Sequence, residues 1–81
     1  MKNELYQVKR VLETILKYSI SGITVDELKY QMGYAESDVK ACLQLLIQMG
    51  SIRETDTRYF PTTELLIEAS KIWLADQLTL N

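Results

Sequence analysis

Apolar residues recur three and four residues apart over long parts of this chain, which is the spacing of one face of an α-helix. The first such segment covers residues 3–19, where Val8, Leu12 and Ile15 share a face with other apolar side chains. The same spacing returns in three later segments, at residues 25–32, 36–49 and 64–78. The pattern therefore predicts four helices.

Residues 51–62 follow a different pattern, which predicts a β-hairpin. β-Branched and aromatic residues are frequent in 52–55 and 58–62, and this favours two strands. Asp56-Thr57 between them predicts a tight turn, although it lacks the glycine that is usual in a short hairpin turn. The three glycines of the chain instead fall between the apolar-periodic segments and are predicted to end helices, at Gly22, Gly33 and Gly50.

The second predicted helix has a strong start signal. Thr24 and Glu27 have the spacing of a capping box, in which each side chain accepts a hydrogen bond from the other residue's backbone N–H. Ile23 and Leu28 have the spacing of the apolar pair that often accompanies such a box. Asp26 and Glu27 resemble a catalytic acid and base, but capping and the helix dipole account for both carboxylates.

The order of these elements predicts a mainly α fold with a small β-hairpin, in the α+β class, as one domain over residues 1–81. The stretches ITVDEL, MGYAESDVKACLQLLIQMGSI and RYFPT lie within Ile23–Thr62. They resemble the positioning helix, the recognition helix and the returning wing strand of winged helix-turn-helix domains, the fold of many bacterial and archaeal transcription regulators. The resemblance implies a winged helix-turn-helix with an additional C-terminal helix.

The resemblance also implies a DNA-binding transcription regulator, because the longer helix of such domains enters the major groove. In this chain the residues facing the bases would be Ser37, Lys40, Ala41 and Gln44. Gln44 suits adenine and Lys40 suits guanine. The contacts to phosphates or to the adjacent groove would come from Tyr34, Arg53 and Arg58. For the two arginines the sequence leaves open ion pairs across the hairpin with Glu54 and Asp56, which would contribute little at a surface.

Several residues depart from the pattern of a DNA reader. Ala35 occupies the position where the superfamily usually has a serine or threonine cap, and Glu36 and Asp38 follow in the first turn. The chain has nine basic against eleven acidic residues, a net charge of −2, whereas nucleic-acid binders are usually basic. The alternative function is therefore a protein–protein interaction module on a winged-helix scaffold, with little or no DNA binding.

Residue content argues against an enzyme or a cofactor protein. The chain has no histidine, and Cys42 is its single cysteine, so it offers neither zinc-ligand spacing nor an internal disulfide. It also lacks a nucleophile elbow and a phosphate-binding glycine loop. Cys42 falls on the apolar side of its helix, which predicts a core residue.

The distribution of apolar residues argues against a membrane protein. The longest apolar run is Leu45–Ile47, far below the roughly 20 residues that span a bilayer. The first residues lack the apolar segment of a signal peptide, so we expect a cytoplasmic location.

The last predicted helix has apolar residues on two sides. One stripe is broad enough to pack on the domain's own core, and it consists of Leu65, Leu66, Ala69, Ile72 and Trp73. The second stripe consists of Ile67, Leu74 and Leu78, with the spacing of a helix–helix seam. Together with Ile47, which lies outside the apolar arc of its own helix, this stripe predicts a symmetric homodimer. The alternative is that the first helix covers the stripe within one chain.

Overall fold

The structure, a computed structural model, describes the backbone of residues 4–79 and the side chains of residues 5–72. Within these residues the chain has an α+β fold of four helices and one three-stranded antiparallel sheet, which is consistent with a winged-helix-like domain. The elements in chain order are α1 (Glu4–Lys17), β1 (Ile23–Thr24), α2 (Val25–Met32), α3 (Glu36–Gln48), β2 (Ile52–Thr55), β3 (Arg58–Pro61) and α4 (Thr63–Thr79).

Helix α2 begins as its sequence predicts. The Thr24 hydroxyl accepts a hydrogen bond from the Glu27 backbone N–H (3.1 Å), and a Glu27 carboxylate oxygen accepts one from the Thr24 N–H (3.0 Å). These two bonds confirm the capping box and satisfy donors that would otherwise lack partners at the helix start. The helix ends at Gly33, whose φ of 71° is left-handed.

The sheet contains one strand more than the predicted hairpin. Its strand order is β1-β3-β2, and β3 pairs with both neighbours. In β1, Ile23 pairs with Tyr59 and Thr24 pairs with Arg58. At the tip of the β2–β3 hairpin, which we call the wing, Asp56 and Thr57 both have positive φ (52° and 64°). This is the backbone of the short turn that usually contains glycine.

The hydrophobic core lies between α1, α2, α3 and one face of the sheet. Among the described residues its fully buried members are Val11, Ile15, Ile23, Leu28, Val39, Cys42, Leu43, Leu46 and Ile52. Cys42 belongs to this core, as the sequence predicts. Helix α3 provides four of these residues at helical spacing, so its opposite side is held outward.

Gly22 connects α1 to the sheet at a crowded position. Its N–H donates a hydrogen bond to the carbonyl of Tyr18 (2.8 Å), and its φ is 75°. A Cβ atom at this position would lie 2.6 Å from the nearest atom of the Phe60 ring. The chain therefore reverses here both because the backbone is left-handed and because the residue has no side chain.

Helix α4 corrects one expectation from the sequence. Leu66 and Ile72 were expected to pack on the core, but both are exposed, while Leu65 and Ala69 are half-buried. The reason is that α1, α2, α3 and the sheet already enclose the described core. Ile67 is exposed, and the side chains of Trp73, Leu74 and Leu78 lie outside the described residues.

Candidate functional site

The outward side of α3 displays the residues that the sequence predicts would face DNA bases. Burial of Val39, Cys42, Leu43 and Leu46 fixes the rotation of the helix. The exposed residues on the remaining surface include Ser37, Lys40, Ala41 and Gln44. Helix α3 begins at Glu36 with Ala35 as its N-cap, in the extended conformation of a capping residue (φ −66°, ψ 152°). Because alanine has no side-chain oxygen, the first backbone N–H groups of α3 lack the cap that α2 has.

Lys40, the one basic residue in the α3 sequence, is held by an acidic neighbour. Its Nζ lies 2.9 Å from Oε2 of Glu36, while Lys29 Nζ of α2 lies 3.2 Å from Oε1 of the same carboxylate. Hydrogen bonds from Lys40 and then from Lys29 lower the pKa of Glu36, and the Glu36 hydrogen bond raises the pKa of Lys40. At neutral pH Lys40 is therefore ion-paired at the surface with a carboxylate of its own helix, which it shares with Lys29.

The two wing arginines are also engaged within the chain. Arg58 Nη1 donates a hydrogen bond to the carbonyl of Gly22 (3.3 Å) and lies 3.7 Å from Oε1 of Glu27. The Arg53 guanidinium lies over the Phe60 ring, 4.8 Å from its centroid, and Nη1 donates to the Thr55 hydroxyl (3.0 Å). Among the described contacts these interactions take the place of ion pairs across the hairpin.

A groove of about 470 Å³ separates α3 from the wing and the start of α2. We call it the acidic groove, and its lining residues are Thr24, Val25, Asp26, Glu36, Lys40, Glu54, Thr57 and Tyr59. Three of these side chains are carboxylates and one is an ammonium, so the described lining is negative. Burial, then the nearby Glu54 carboxylate, raises the pKa of Tyr59, which keeps this phenol neutral.

The predicted DNA contacts differ in their immediate surroundings. Lys40 lines the acidic groove, whereas Ala41 lines a separate cavity of about 210 Å³ beside Gln7 and Val8 of α1. Tyr34 is half-buried and packs against the core. These three of the seven predicted residues therefore have different surroundings.

Sequence reasoning missed the two grooves themselves. Asp26 and Glu54 belong to the acidic groove, although they are distant in the sequence from Lys40. A second groove, of about 500 Å³, lies between α1 and the C-terminal part of α3. We call it the apolar groove, and it is lined by Leu5, Tyr6, Val8, Lys9, Leu12, Leu46 and Met49. The sequence signal for the apolar groove is the presence of apolar residues that one small core does not bury, such as Leu5 and Met49.

The described residues bear on two further roles, metal binding and membrane spanning. No three His, Cys, Asp or Glu side chains come together there as the ligands of a metal ion would. None of the helices in this part of the chain is both long enough and apolar enough to cross a bilayer.

Comparisons with known proteins give a shared fold. No protein-family model and no curated protein sequence matches the chain. Among solved structures, the chain is similar to the activation domain of the phage T4 transcription factor MotA, with a TM-score of 0.67 at 18% sequence identity. The match covers 89% of this chain and 78% of that one. At this identity the similarity establishes the common α+β fold.

Proposed function

We propose that this chain is a winged-helix domain that acts in transcription through protein–protein contacts, with the acidic groove binding a basic surface of a partner protein. The observation that carries the proposal is the charge of the groove, which Asp26, Glu36 and Glu54 line together with Lys40, the single cation of the described lining. The structural similarity to a transcription factor's activation domain supports a role in transcription.

The electrostatics of this surface favour a basic partner over DNA. Proteins bind DNA when lysines and arginines replace the counterions of the phosphates. Here phosphates would approach carboxylates, and juxtaposed like charges cost several kcal/mol. Lys40 and Arg58 would also have to leave Glu36 and Glu27. A basic protein surface would instead gain complementary contacts and a faster encounter.

DNA binding is the second candidate function, favoured by the exposure of Ser37, Gln44 and Arg53. In this candidate the contacts come from the predicted residues Tyr34, Ser37, Lys40, Ala41, Gln44, Arg53 and Arg58. Lys40 would exchange Glu36 for a guanine or a phosphate.

We further propose that the domain works as a homodimer. The residues assigned to the contact are those of the second α4 stripe, together with one residue of α3: Ile67, Leu74, Leu78 and Ile47. Ile67 and Ile47 are exposed, which supports this assignment. A small domain gains from such burial because its own core removes only a limited area from water.

DNA binding to mixed genomic fragments at low salt separates the two candidate functions. We expect no measurable binding by the wild-type chain. Salt-dependent binding that disappears in a folded Lys40→Ala/Gln44→Ala variant would overturn the protein-partner proposal.

A tethering assay tests the protein contact directly. The chain is fused to an unrelated DNA-binding domain upstream of a bacterial reporter promoter, so that its own DNA contacts are not needed. We expect altered reporter output, lost in Glu36→Lys/Glu54→Lys and kept in Glu13→Lys, which reverses an exposed carboxylate of α1. Unaltered output from the wild-type fusion, or equal loss in the α1 control, would count against the acidic groove.

A further inference from the structure

The apolar groove is an open surface on the described part of the chain. Its lining side chains are those of aliphatic and aromatic residues, apart from Lys9 at the edge. Leu5 is 82% exposed and Met49 is 63% exposed, whereas Leu46 at the bottom is buried. Large side chains held this far into water at the mouth of a groove indicate a surface that becomes covered by another element.

The edge of the apolar groove is basic, although the chain as a whole is acidic. Lys9 lines the groove. One residue further along α1, the Arg10 guanidinium stacks on the ring of Tyr6, 5.9 Å from its centroid, and Tyr6 also lines the groove. This surface suits an acidic helix that carries exposed apolar side chains, which would bind by the helix-in-groove mode of recognition.

Helix α4 of this same protein has that character. Its sequence contains Glu64, Glu68 and Asp76 against the single basic residue Lys71. Ile67 is 51% exposed and Ile72 is 59% exposed. Its 17 residues extend about 25 Å. Both in charge and in apolar content, α4 complements the groove.

The described side chains of α4, those of residues 63–72, are not among the residues that line the apolar groove. The Thr62 hydroxyl donates a hydrogen bond to the carbonyl of Gly50 (2.8 Å), and the Leu65 N–H donates to that hydroxyl (3.3 Å). These bonds fix the start of α4 beside the end of α3. With α4 in this position, Leu5 and Met49 remain exposed.

We propose that the apolar groove of each chain receives α4 of a second copy, so that two chains exchange their last helices reciprocally. This inference rests on the homodimer proposed above and names the surface that accepts α4. Two-fold symmetry makes the groove–helix contact occur twice, so both exposed apolar surfaces are covered in one closed assembly. In this arrangement α4 contacts the apolar groove of the second copy rather than the α4 helix of that copy.

The first test measures mass in solution by sedimentation equilibrium. The wild-type chain should be a dimer. Leu5→Glu/Met49→Glu, the groove variant, and Ile67→Glu, the helix variant, should each dimerise at least about 30-fold more weakly. Ile20→Glu is the matched control because Ile20 is 96% exposed and lies outside both surfaces, and it should dimerise as the wild type does. All the substituted side chains are exposed, so circular dichroism should show folded variants.

The second test mixes the two weakened variants. In the reciprocal arrangement the groove variant still has an intact α4, and the helix variant still has an intact groove, so the mixture should form heterodimers. A groove variant that remains dimeric would overturn the inference and assign dimerisation to an α4–α4 seam. A wild-type chain that is monomeric at high concentration would overturn both the inference and the proposed homodimer. The occupant of the groove would then have to be a helix of another protein.

Discussion

At the scale of single residues, Gly22 and Gly33 share a left-handed backbone but differ in their surroundings. Their φ values are 75° and 71°. A Cβ on Gly22 would lie 2.6 Å from the Phe60 ring, whereas one on Gly33 would meet nothing within 4 Å. The pair therefore separates the cost of a left-handed backbone from the cost of a steric clash.

Alanine at these two positions should destabilise the fold to different extents. Gly33→Ala should lower the free energy of unfolding by about 1–2 kcal/mol, the cost of a left-handed non-glycine residue. Gly22→Ala should lower the free energy of unfolding by more than this, because the Phe60 ring must also move away from its contact with Arg53. Urea denaturation of both variants measures the difference. Equal decreases in the free energy of unfolding would show that the Phe60 ring moves aside at no cost.

At the scale of elements, α2 begins with a side-chain cap and α3 begins without one. Substitutions at the two caps should therefore change stability in opposite directions. Thr24→Ala removes the capping oxygen and should lower the free energy of unfolding by about 1 kcal/mol. Thr24→Ser keeps a capping oxygen and should therefore retain most of this stabilisation. Ala35→Ser adds an oxygen where the backbone already has cap geometry, so it should stabilise by a similar amount. Thermal denaturation distinguishes these signs, and a destabilised Ala35→Ser would mean that α3 starts elsewhere.

Glu36 connects two elements, since it binds Lys29 of α2 and Lys40 of α3, and this makes stability depend on pH. Its folded-state pKa is lowered from the ordinary value of 4.5. Its contribution is therefore fully present above pH 4.5 and is lost as the pH falls through the lower, folded-state pKa. Lys40, whose pKa is raised from 10.5, contributes below pH 10.5 and loses its contribution as the pH rises further.

The consequence for Glu36 can be measured by NMR titration and acid unfolding. The Glu36 carboxyl should titrate below the ordinary range, and Glu36→Gln should reduce the loss of stability on acidification. The effect should shrink at high salt because the pair is exposed. Glu13→Gln is the control for losing an exposed carboxylate, and an identical acid response in both variants would remove Glu36 from this role.

The helices and the hairpin could be predicted from sequence because their signals are local. Apolar spacing marks α1 to α4, and residues three apart form the capping box. Strand β1 could not be predicted, because two residues show no periodicity and Ile23–Thr24 is a strand only through its pairing with β3. The exposure of Leu66 and Ile72 was also hidden, since a helical wheel shows an apolar face but not whether the core reaches it.

The candidate site was harder to predict because its contacts join distant parts of the chain. The outward side of α3 followed from its periodicity. The partner of Arg58 is Glu27 rather than a neighbour in the hairpin, and this depends on β1 bringing the start of α2 beside the wing. The acidic groove exists for the same reason, as it combines Asp26, Glu36 and Glu54 from three separate segments.

At the scale of the whole molecule, the two grooves use different parts of α3. Glu36 and Lys40 near its start line the acidic groove, while Leu46 and Met49 at its end line the apolar groove. A dimer formed through the apolar groove would therefore leave the acidic groove of each copy open. Two linked acidic grooves would bind a partner with two basic sites more tightly than one groove does.

We expect the pairing of the short strand β1 to form late in folding. Its pairing of Ile23 with Tyr59 closes a loop that contains α2, α3 and β2. Closing so long a loop has an entropic cost that the local contacts of a helix do not have, so such pairings form late. Pulse-labelled amide exchange during refolding should protect α1 and α3 before Tyr59, and simultaneous protection would mean a single cooperative step. If β1 pairs late as expected, the surface that carries the acidic groove is the last part of the protein to form.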